Sequence, residues 1–466
     1  MADLPGTRVD LLIGRSGMRF LRGAAGSALP RFENWSGSVV AHPRSFRRPT
    51  TAGAVAGLVA DAAADGETLR VVGAGHSFSP VAATDGHLVS LDALAGIVAV
   101  DAAAKTVRFR AGTRLRDIPA LLEPYGLSLP NQGDIDEQSL AGALSTGTHG
   151  TGLGFTGFAG LVTALQLVTA DGRVRELDPT REPELFDHAR LSVGALGVLT
   201  EIELQCVDAF DLVADEARIP FDEMVETLED RARTCDHVDY YWFPYADEAL
   251  AKSNTRVPPG AAGPYPDVRR RPRLQRLLAE EMLDNAGLGL VNELSRAVPA
   301  ATPRINRFAT VLASNRRYRG PAHEVFVSPR RVRFREMEYA VPFADGAEVL
   351  REVRAAIESS GRAVAFPLEV RTAGADDVPL STATGRDSVY IAVHQYHAVE
   401  EAGYFRSVER VLRAAAGRPH WGKIHSLGAE DLSALYPRFD DFVRVRDAVD
   451  PGRLFGSRYL THLFGS

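Results

Sequence analysis

Cysteine is scarce: the chain of 466 residues has two, Cys206 and Cys235. Two thiols cannot build a disulfide framework or a closed zinc site, so no metal is expected, and their scarcity fits a reducing, cytoplasmic setting. Long apolar runs are missing as well. No stretch of about 18 apolar residues occurs, so neither a membrane span nor membrane contact is expected. The first 27 residues contain Leu11-Leu12-Ile13 and several arginines but no sustained apolar core, and do not read as a signal peptide. Positive charge is not in excess either: the formal net charge of −7 speaks against a nucleic-acid surface. Arg269-Arg270-Arg271-Pro272-Arg273 is a local exception and reads as a solvated basic segment. With 45% hydrophobic and 24% charged residues, a disordered or fibrous chain is excluded. At roughly 150 residues per domain, the length predicts two or three domains.

The pattern of elements divides the chain. Thr50–Asp65 predicts an alanine-rich helix with a threonine cap, closed at Gly66. Strands are predicted at Leu69–Val72, Leu88–Leu91, Ile97–Val100 and Thr106–Arg110, with a helix at Leu115–Tyr125. Leu161–Thr169 and Arg173–Leu177 flank Asp171-Gly172, which predicts a tight hairpin with positive φ at both central residues. Val193–Leu204 reads as a glycine-broken turn feeding a strand. Beyond Phe210 the character changes. Helices are predicted at Phe221–Arg233, Leu274–Leu294, Gly346–Ser359 and Val399–Ala416, and Pro258–Pro266 reads as a loop. Strands are predicted at Arg335–Val341, Val364–Arg371 and Val389–Tyr396. This is an α+β layer, a sheet with helices on one face. Leu432–Phe464 is expected to begin helical and end irregularly. The division read from this is an extension at 1–34, a nucleotide-binding domain at 35–209, a substrate domain at 210–430, and a tail at 431–466 returning to the first domain.

Two glycine-rich elements carry the functional signal. In Leu69–Pro80 (LRVVGAGHSFSP) a strand runs into Gly-x-Gly, which leaves consecutive backbone N–H groups unobstructed and suits an anion such as a pyrophosphate. It is not a Rossmann fingerprint, because the third glycine is missing. Alone it reads equally as a bare tight turn, with His76 an ordinary loop histidine. The second element, Asn131–Gly152 (NQGDIDEQSLAGALSTGTHGTG), reads as a long loop whose small residues admit a bulky ligand to the backbone. Two such elements within 80 residues predict one extended phosphate-containing cofactor between them.

GAGHSFSP, then LPNQGDIDEQSLAGALSTGTHGTG, then GALGVLTEIEL, with Glu369-Val370-Arg371 and His420-Trp421-Gly422-Lys423 later, resembles the vanillyl-alcohol oxidase superfamily of FAD enzymes. Within it the chain is similar to the sugar-lactone and alditol oxidases, over most of Trp35–Phe464. The resemblance implies an α+β fold with a two-subdomain PCMH-type FAD-binding domain and an α+β cap domain. It implies FAD bonded covalently through its 8α-methyl to His76. The backbone of Val71, Val72, Gly73, Ala74, Gly75, His76 and Ser77 would hold the pyrophosphate. Ser139, Gly142, Ala143, Leu144 and Ser145 would line the other side, with Gly197 and Val198 at the adenine end and His420 beside the flavin. The implied reaction is oxidation of an aldono-1,4-lactone or sugar-derived alcohol by hydride transfer to flavin N5, with dioxygen (giving hydrogen peroxide) or another acceptor as reoxidant.

Glu369 and Arg371 lie two apart on a predicted strand and so share a face. Without the resemblance they would read as a surface ion pair. With it, Arg371 is expected to lower the pKa of the substrate hydroxyl and Glu369 to orient it or take its proton. His394 and Tyr396 share a face of the strand that lines the pocket in related enzymes, although a packed histidine is an equal reading. Lys423 resembles the lysine at the flavin N1–C2=O edge, a cation that stabilises reduced flavin. Trp421 reads as packing. One departure concerns Gln132-Gly133-Asp134, which stands where alditol oxidases place a polyol-contacting serine. It shifts the expected substrate toward a lactone, with an alditol or a non-sugar metabolite as alternatives, and Gly133 would leave room for oxygen. Glu369, Arg371 and Lys423 together argue against a flavin-binding module without turnover.

Overall fold

Capping chemistry sets the first elements. The Thr51 hydroxyl accepts from the Ala54 N–H at 3.0 Å and opens the helix Ala52–Asp65. Gly66, at φ 67°, closes it by donating to the Ala62 and Ala63 carbonyls. The chain then enters Leu69–Val72, which pairs in parallel with His87–Ser90, itself paired in parallel with Ser45–Arg47. A computed structural model describes residues 30–261, 263–264, 268, 286–312, 315–328 and 330–466, with the two short strands Asp10–Leu11 and Phe20–Leu21. The Arg269–Arg273 cluster and most of Leu274–Leu294 lie outside the described residues.

A five-stranded antiparallel sheet packs beside this one, in the order Val174–Leu177, Val162–Val168, Val198–Gln205, Thr106–Arg110, Ile97–Asp101. Its hairpin differs from the predicted turn. Positive φ occurs at Gly172 (73°) and not at Asp171, and the Gly172 N–H donates to the Thr169 carbonyl. The loop is therefore a longer one whose last residue is left-handed. The predicted helix Leu115–Tyr125 is cut into Leu115–Asp117, Ile118–Leu122 and Glu123–Tyr125. Pro119 and Pro124 each begin a new turn, since neither has an N–H to continue the previous one. Phe221–Arg233 likewise resolves into Phe221–Glu226 and Leu228–Thr234.

The third sheet has eight strands, all antiparallel: Arg316–Pro321, Asp211–Pro220, Glu248–Val257, His237–Trp242, Leu368–Ala373, Ser388–Tyr396, Phe334–Pro342 and Arg418–Pro419. Strand alternation divides it into two faces. Met337, Tyr339, Val341, Val370, Ile391 and Val393 pack with Val349, Leu350, Val353 and Ile357 of the helix Gly346–Ser359 and with Tyr404, Phe405, Val408 and Leu412 of the helix Ala402–Ala414. Each such side chain, fully buried, contributes about 1.5–3 kcal/mol. The opposite face carries Glu336, Glu338, Glu369, Arg371 and His394. In the helix Gly287–Ala297, Asn292 and Ser295 are buried while Leu290 and Leu294 are exposed.

The last segment is helical to its end, against expectation, through Ala429–Leu435, Phe439–Val449 and Arg458–Phe464. The Ser457 hydroxyl caps the final helix by accepting from the Leu460 N–H. Between these helices the chain touches the first sheet, where the Leu69 N–H donates to the Leu454 carbonyl at 2.8 Å. The buried Arg70 guanidinium then donates to four carbonyls: Val81 (2.7 Å), Val193 (2.9 Å), Gly194 (2.9 Å) and Phe455 (2.7 Å). Burial, opposed by Asp450, lowers its pKa to about 10, so it remains charged near neutrality. Replacing Arg70 by Met would orphan four carbonyls. At about 1–3 kcal/mol per buried unsatisfied group, the expected loss exceeds about 3 kcal/mol in urea denaturation. Arg70→Lys is expected to recover little, because one ammonium cannot span that fork; wild-type stability in the Lys variant would refute the clamp.

Candidate active site

Two clefts meet at His76. The first, open to solvent, spans ≈ 970 Å³ between the parallel sheet and the helix Leu140–Thr146, and the second, also open, spans ≈ 700 Å³ against the charged face of the large sheet. His76, Ser77, Gln138 and Thr146 line both.

Backbone forms much of the first cleft. The strand Leu69–Val72 ends at Gly73, where an added Cβ would lie 2.3 Å from Ser139 Oγ; only glycine lets the strand end approach that close. Gly75 takes φ 70° and turns the chain back. The loop is tied on both sides. The Trp35 N–H donates to the Gly75 carbonyl and Asn34 Nδ2 to the Ser77 carbonyl. The Phe78 N–H donates to the Gly422 carbonyl at 2.7 Å, and the Ser79 hydroxyl donates to the Trp421 carbonyl at 2.8 Å. His420-Trp421-Gly422-Lys423 is thereby fixed against the His76 loop. His76 stacks on Trp35 at 5.3 Å between ring centroids. Burial, with Lys423 and Arg114 adding to it, takes its pKa down to about 4, so the imidazole is neutral at pH 7.

Of the predicted cofactor contacts, Val71–Ser77, Ser139, Gly142, Ser145 and Gly197 line this first cleft. Ala143, Leu144 and Val198 do not. The second glycine-rich element is not one long loop but holds the helix Leu140–Thr146, capped by the Ser139 hydroxyl. Its period turns Gly142 and Ser145 to the cleft and Ala143 and Leu144 to the core; Val198 points inward at 1% exposure. Several of its glycines serve the chain's own packing. A Cβ on Gly150 would lie 2.3 Å from Asn131 Oδ1, and one on Gly152 (φ 118°) 2.3 Å from the Asp236 carbonyl.

The second cleft gathers Glu369, Arg371, His394, His420 and Lys423, all predicted, with Gly133 at its edge. Tyr396 is not among its lining: the hydroxyl donates to Glu293 Oε1 instead. Trp421 packs, buried, with its Nε1–H donating to the Leu380 carbonyl at 2.7 Å. Arg371 Nη2 lies 2.6 Å from Glu369 Oε1 and 3.2 Å from Asp134 Oδ1, and its Nε lies 3.5 Å from Asp239 Oδ1. Arg330 donates through Nε and Nη2 to Asp134 Oδ2, at 3.1 and 2.6 Å. Burial opposes ionisation of Asp134, but Arg330 and Arg371 outweigh it and hold the carboxyl well below the usual range.

Sequence reasoning missed Glu336, Glu338, His149 and Arg330. The first two stand on one face of Phe334–Pro342, in the same alternation that marked Glu369 and Arg371, so the signal was present. They form two parallel units. His394 Nδ1 donates to the Pro367 carbonyl at 2.9 Å and turns Nε2 toward Glu336 Oε1, 3.6 Å away. His149 Nδ1 donates to the Gly150 carbonyl at 2.8 Å and turns Nε2 toward Glu338 Oε1 at 3.2 Å. Because a carbonyl can only accept, each Nδ1 carries a proton and each Nε2 faces the carboxylate. Lys423 Nζ is ion-paired with Glu336. Burial resists ionisation of Glu336 and Lys423 alike, yet each is held charged by the other. His420 accepts from the Gly422 N–H at Nδ1, and burial takes its pKa down to about 3. His149, Glu338 and His420 bring three potential ligand atoms within 4.8 Å, a metal-like grouping that the expectation of no metal overlooked. The hydrogen bond between His149 and Glu338 accounts for the approach of those two.

A backbone-lined cleft that excludes Cβ atoms, ending at a neutral histidine beside a buried lysine, fits a dinucleotide with a redox-active ring. Fold and site define an FAD-dependent oxidoreductase of the vanillyl-alcohol oxidase superfamily, and residues 43–178 match the FAD binding domain family. Residues 202–463 match the family described as D-arabinono-1,4-lactone oxidase. The chain belongs to that family. It is 40% identical over 436 residues to an L-gulono-1,4-lactone dehydrogenase of Mycobacterium tuberculosis, covering 94% of this chain and 99% of the other. It is 30% identical to the L-gulonolactone oxidase of Mus musculus, covering 93% and 98%. Cholesterol oxidase from B. sterolicum shares the fold, with a TM-score of 0.79 at 18% identity over 93% of this chain and 96% of that one. Among the described residues no helix is long and apolar enough to cross a membrane.

Glu338 supplies a pH test. Burial opposes its ionisation, but the His149 pairing dominates and holds it far below the ordinary value of 4.5. A depressed carboxyl stabilises the fold above its unfolded pKa and loses that contribution as pH falls toward the folded one. Glu338→Gln is therefore expected to destabilise by about 2–3 kcal/mol at pH 7. The gap should narrow below about pH 4.5 in thermal melts; a gap that does not change with pH would contradict the pairing.

Proposed function

We propose that the enzyme oxidises an aldono-1,4-lactone or closely related sugar-derived alcohol. FAD, held in the first cleft, would supply the hydride acceptor, with dioxygen (giving hydrogen peroxide) or a separate acceptor as reoxidant. One observation carries this reading: a carboxylate–guanidinium pair, Glu369–Arg371, faces the cleft that opens at His76 and Lys423.

In this reading residues 35–209 and 431–466 hold the cofactor, and 210–430 shape the substrate site. The backbone of Val71–Ser77 would hold the pyrophosphate, with Ser139, Gly142 and Ser145 opposite and Gly197 toward the adenine end. His76, neutral through burial, keeps a lone pair for attachment to the 8α-methyl group. Lys423 would place its charge beside the ring, with His420 bordering it, since both line the cleft that opens at His76. Arg371 binds the substrate hydroxyl oxygen and lowers its pKa, and Glu369 orients the O–H or accepts its proton. His394, its ring oriented by the bond from Nδ1 to the Pro367 carbonyl, borders the substrate cleft with Nε2 toward Glu336. Asp134 is engaged by Arg330 and Arg371 and is not free to bind a polyol, which favours a lactone over an alditol. Unpaired thiols at Cys206 and Cys235 are consistent with work in the cytoplasm.

Two measurements test the reading. Flavin is expected to stay with acid-precipitated wild-type protein and to leave His76→Ala; full release from the wild type refutes the covalent link. Under anaerobic conditions an aldonolactone is expected to bleach the flavin, and Arg371→Met to slow that bleaching by about 100-fold or more. No bleaching with any lactone or polyol would overturn the substrate class.

A further inference from the structure

We infer that Asp239, outside both clefts, is a positioning residue for the reaction: it holds Arg371 in place as the first link of a row of alternating charges crossing the sheet. The inference rests on the proposed role of Arg371.

The row follows from register. Lys252 stands directly across from Asp239, Glu216 across from Lys252, and Arg316 across from Glu216. On the other side, Tyr240 pairs with Val370, and the next step along the same register sets Asp239 opposite Arg371. Directly opposed residues share a face, so Arg371, Asp239, Lys252, Glu216 and Arg316 form one line, + − + − +, over five strands. Arg371, at one end, borders the substrate cleft, and Arg316 stands on the edge strand.

Distance singles out Asp239. Asp134, Asp239 and Glu369 surround one guanidinium, and the additional cation Arg330 reaches Asp134. Lys252 donates to the Val325 carbonyl at 2.7 Å and is shared with Glu216, which also binds Arg316 and accepts from the Tyr318 hydroxyl. Asp239 Oδ1 and Arg371 Nε are 3.5 Å apart, and both, like Glu369 Oε1, lack an aligned hydrogen bond. The carboxylate facing Arg371 from the neighbouring strand thus stands farthest of the three from the guanidinium. The groups facing it are Arg371 and Glu369 on one neighbouring strand, Lys252 on the other, and Asp134 from its loop. Burial pushes its pKa up to about 6, with Arg371 and Lys252 opposing.

The consequence is mechanical. The three ion pairs of Arg371 use Nε and Nη2, leaving Nη1 outside them. Ionised Asp239 holds the Nε edge while Glu369 and Asp134 hold Nη2, which fixes the plane of the fork. Once Asp239 is protonated, only the Nη2 contacts remain and the plane is free to turn. A carboxylate that disfavours its own charged state in the fold, yet orients a substrate-binding cation, trades stability for geometry.

The test is kcat/KM for anaerobic flavin reduction by a lactone, against pH, in the holoenzyme. The wild type is expected to rise with a midpoint near 6. Asp239→Asn should remain flat through that window, about 100-fold below the wild type at pH 8, and Asp239→Glu should restore part of the rise. Glu216→Gln leaves Lys252 to Asp239 alone and should move the midpoint to lower pH. Persistence of the midpoint near 6 in Asp239→Asn overturns the inference. Melting curves without substrate give a second arm. A carboxyl whose pKa is raised on folding loses stability as pH climbs from its unfolded toward its folded value. Asp239→Asn should therefore gain on the wild type between about pH 4 and 6 and hold that gain above. A constant offset, or a loss, also overturns it. Bleaching of wild-type flavin by a lactone with a failed Asp239 profile counts against Asp239 alone. If nothing bleaches the wild type, the substrate reading fails and this role fails with it.

Discussion

Side chains alternate along an antiparallel strand, and the chemistry of the second cleft depends on that alternation. A central strand cannot hide a carboxylate among aliphatic neighbours, because an isolated buried charge is too costly. Segregation by face removes the conflict. Val370, Met337 and Val393 feed the apolar layer under two helices, while Glu369, Glu336 and His394 are collected on the other side. Once collected there, the charges must compensate one another across strands and loops. Lys423, Arg330 and Arg371 do so for Glu336, Asp134 and Glu369.

The cofactor side is governed by convergence more than by alternation. Residues 34–35, the His76 loop and the turn at 420–423 are far apart in sequence and are joined by backbone bonds such as Phe78 to Gly422. Arg70 does the same one layer down, collecting carbonyls from residues 81, 193–194 and 455. Arginine suits this work because its planar fork of donors meets several acceptors at once. The glycines at 73 and 75 shape a surface that these contacts then hold still.

Much of this was legible in the sequence. The threonine cap and closing glycine of Ala52–Asp65, the strand running into Gly73, and the shared face of Glu369 and Arg371 are local patterns that the fold retains. The interrupted helix at Leu115–Tyr125 was legible too, since Pro119 and Pro124 mark its breaks, but periodicity alone hid them. Ala143, Leu144 and Val198 were misplaced because a run of small residues looked like a loop when a short helix gave it an inside and an outside. Glu336 and Glu338 went unread although the alternation was visible. Partnerships were not legible: that Arg330 finds Asp134, or that Asp239 stands across from Lys252, follows from register between strands distant in sequence. The membership of buried polar networks is decided in three dimensions.

The bonds from Leu69 and Arg70 to Leu454 and Phe455 also set an order of events. Chains emerge from the ribosome N-terminus first, and domains fold as units as they appear. The sheet that carries the His76 loop is therefore translated nearly four hundred residues ahead of two of the carbonyls that fasten it, those of Leu454 and Phe455. Until residues 450–455 arrive, the Arg70 guanidinium lacks one of its acceptors and the strand Leu69–Val72 an edge contact. The cradle is thus fastened on this side only once residues 450–455 have been made.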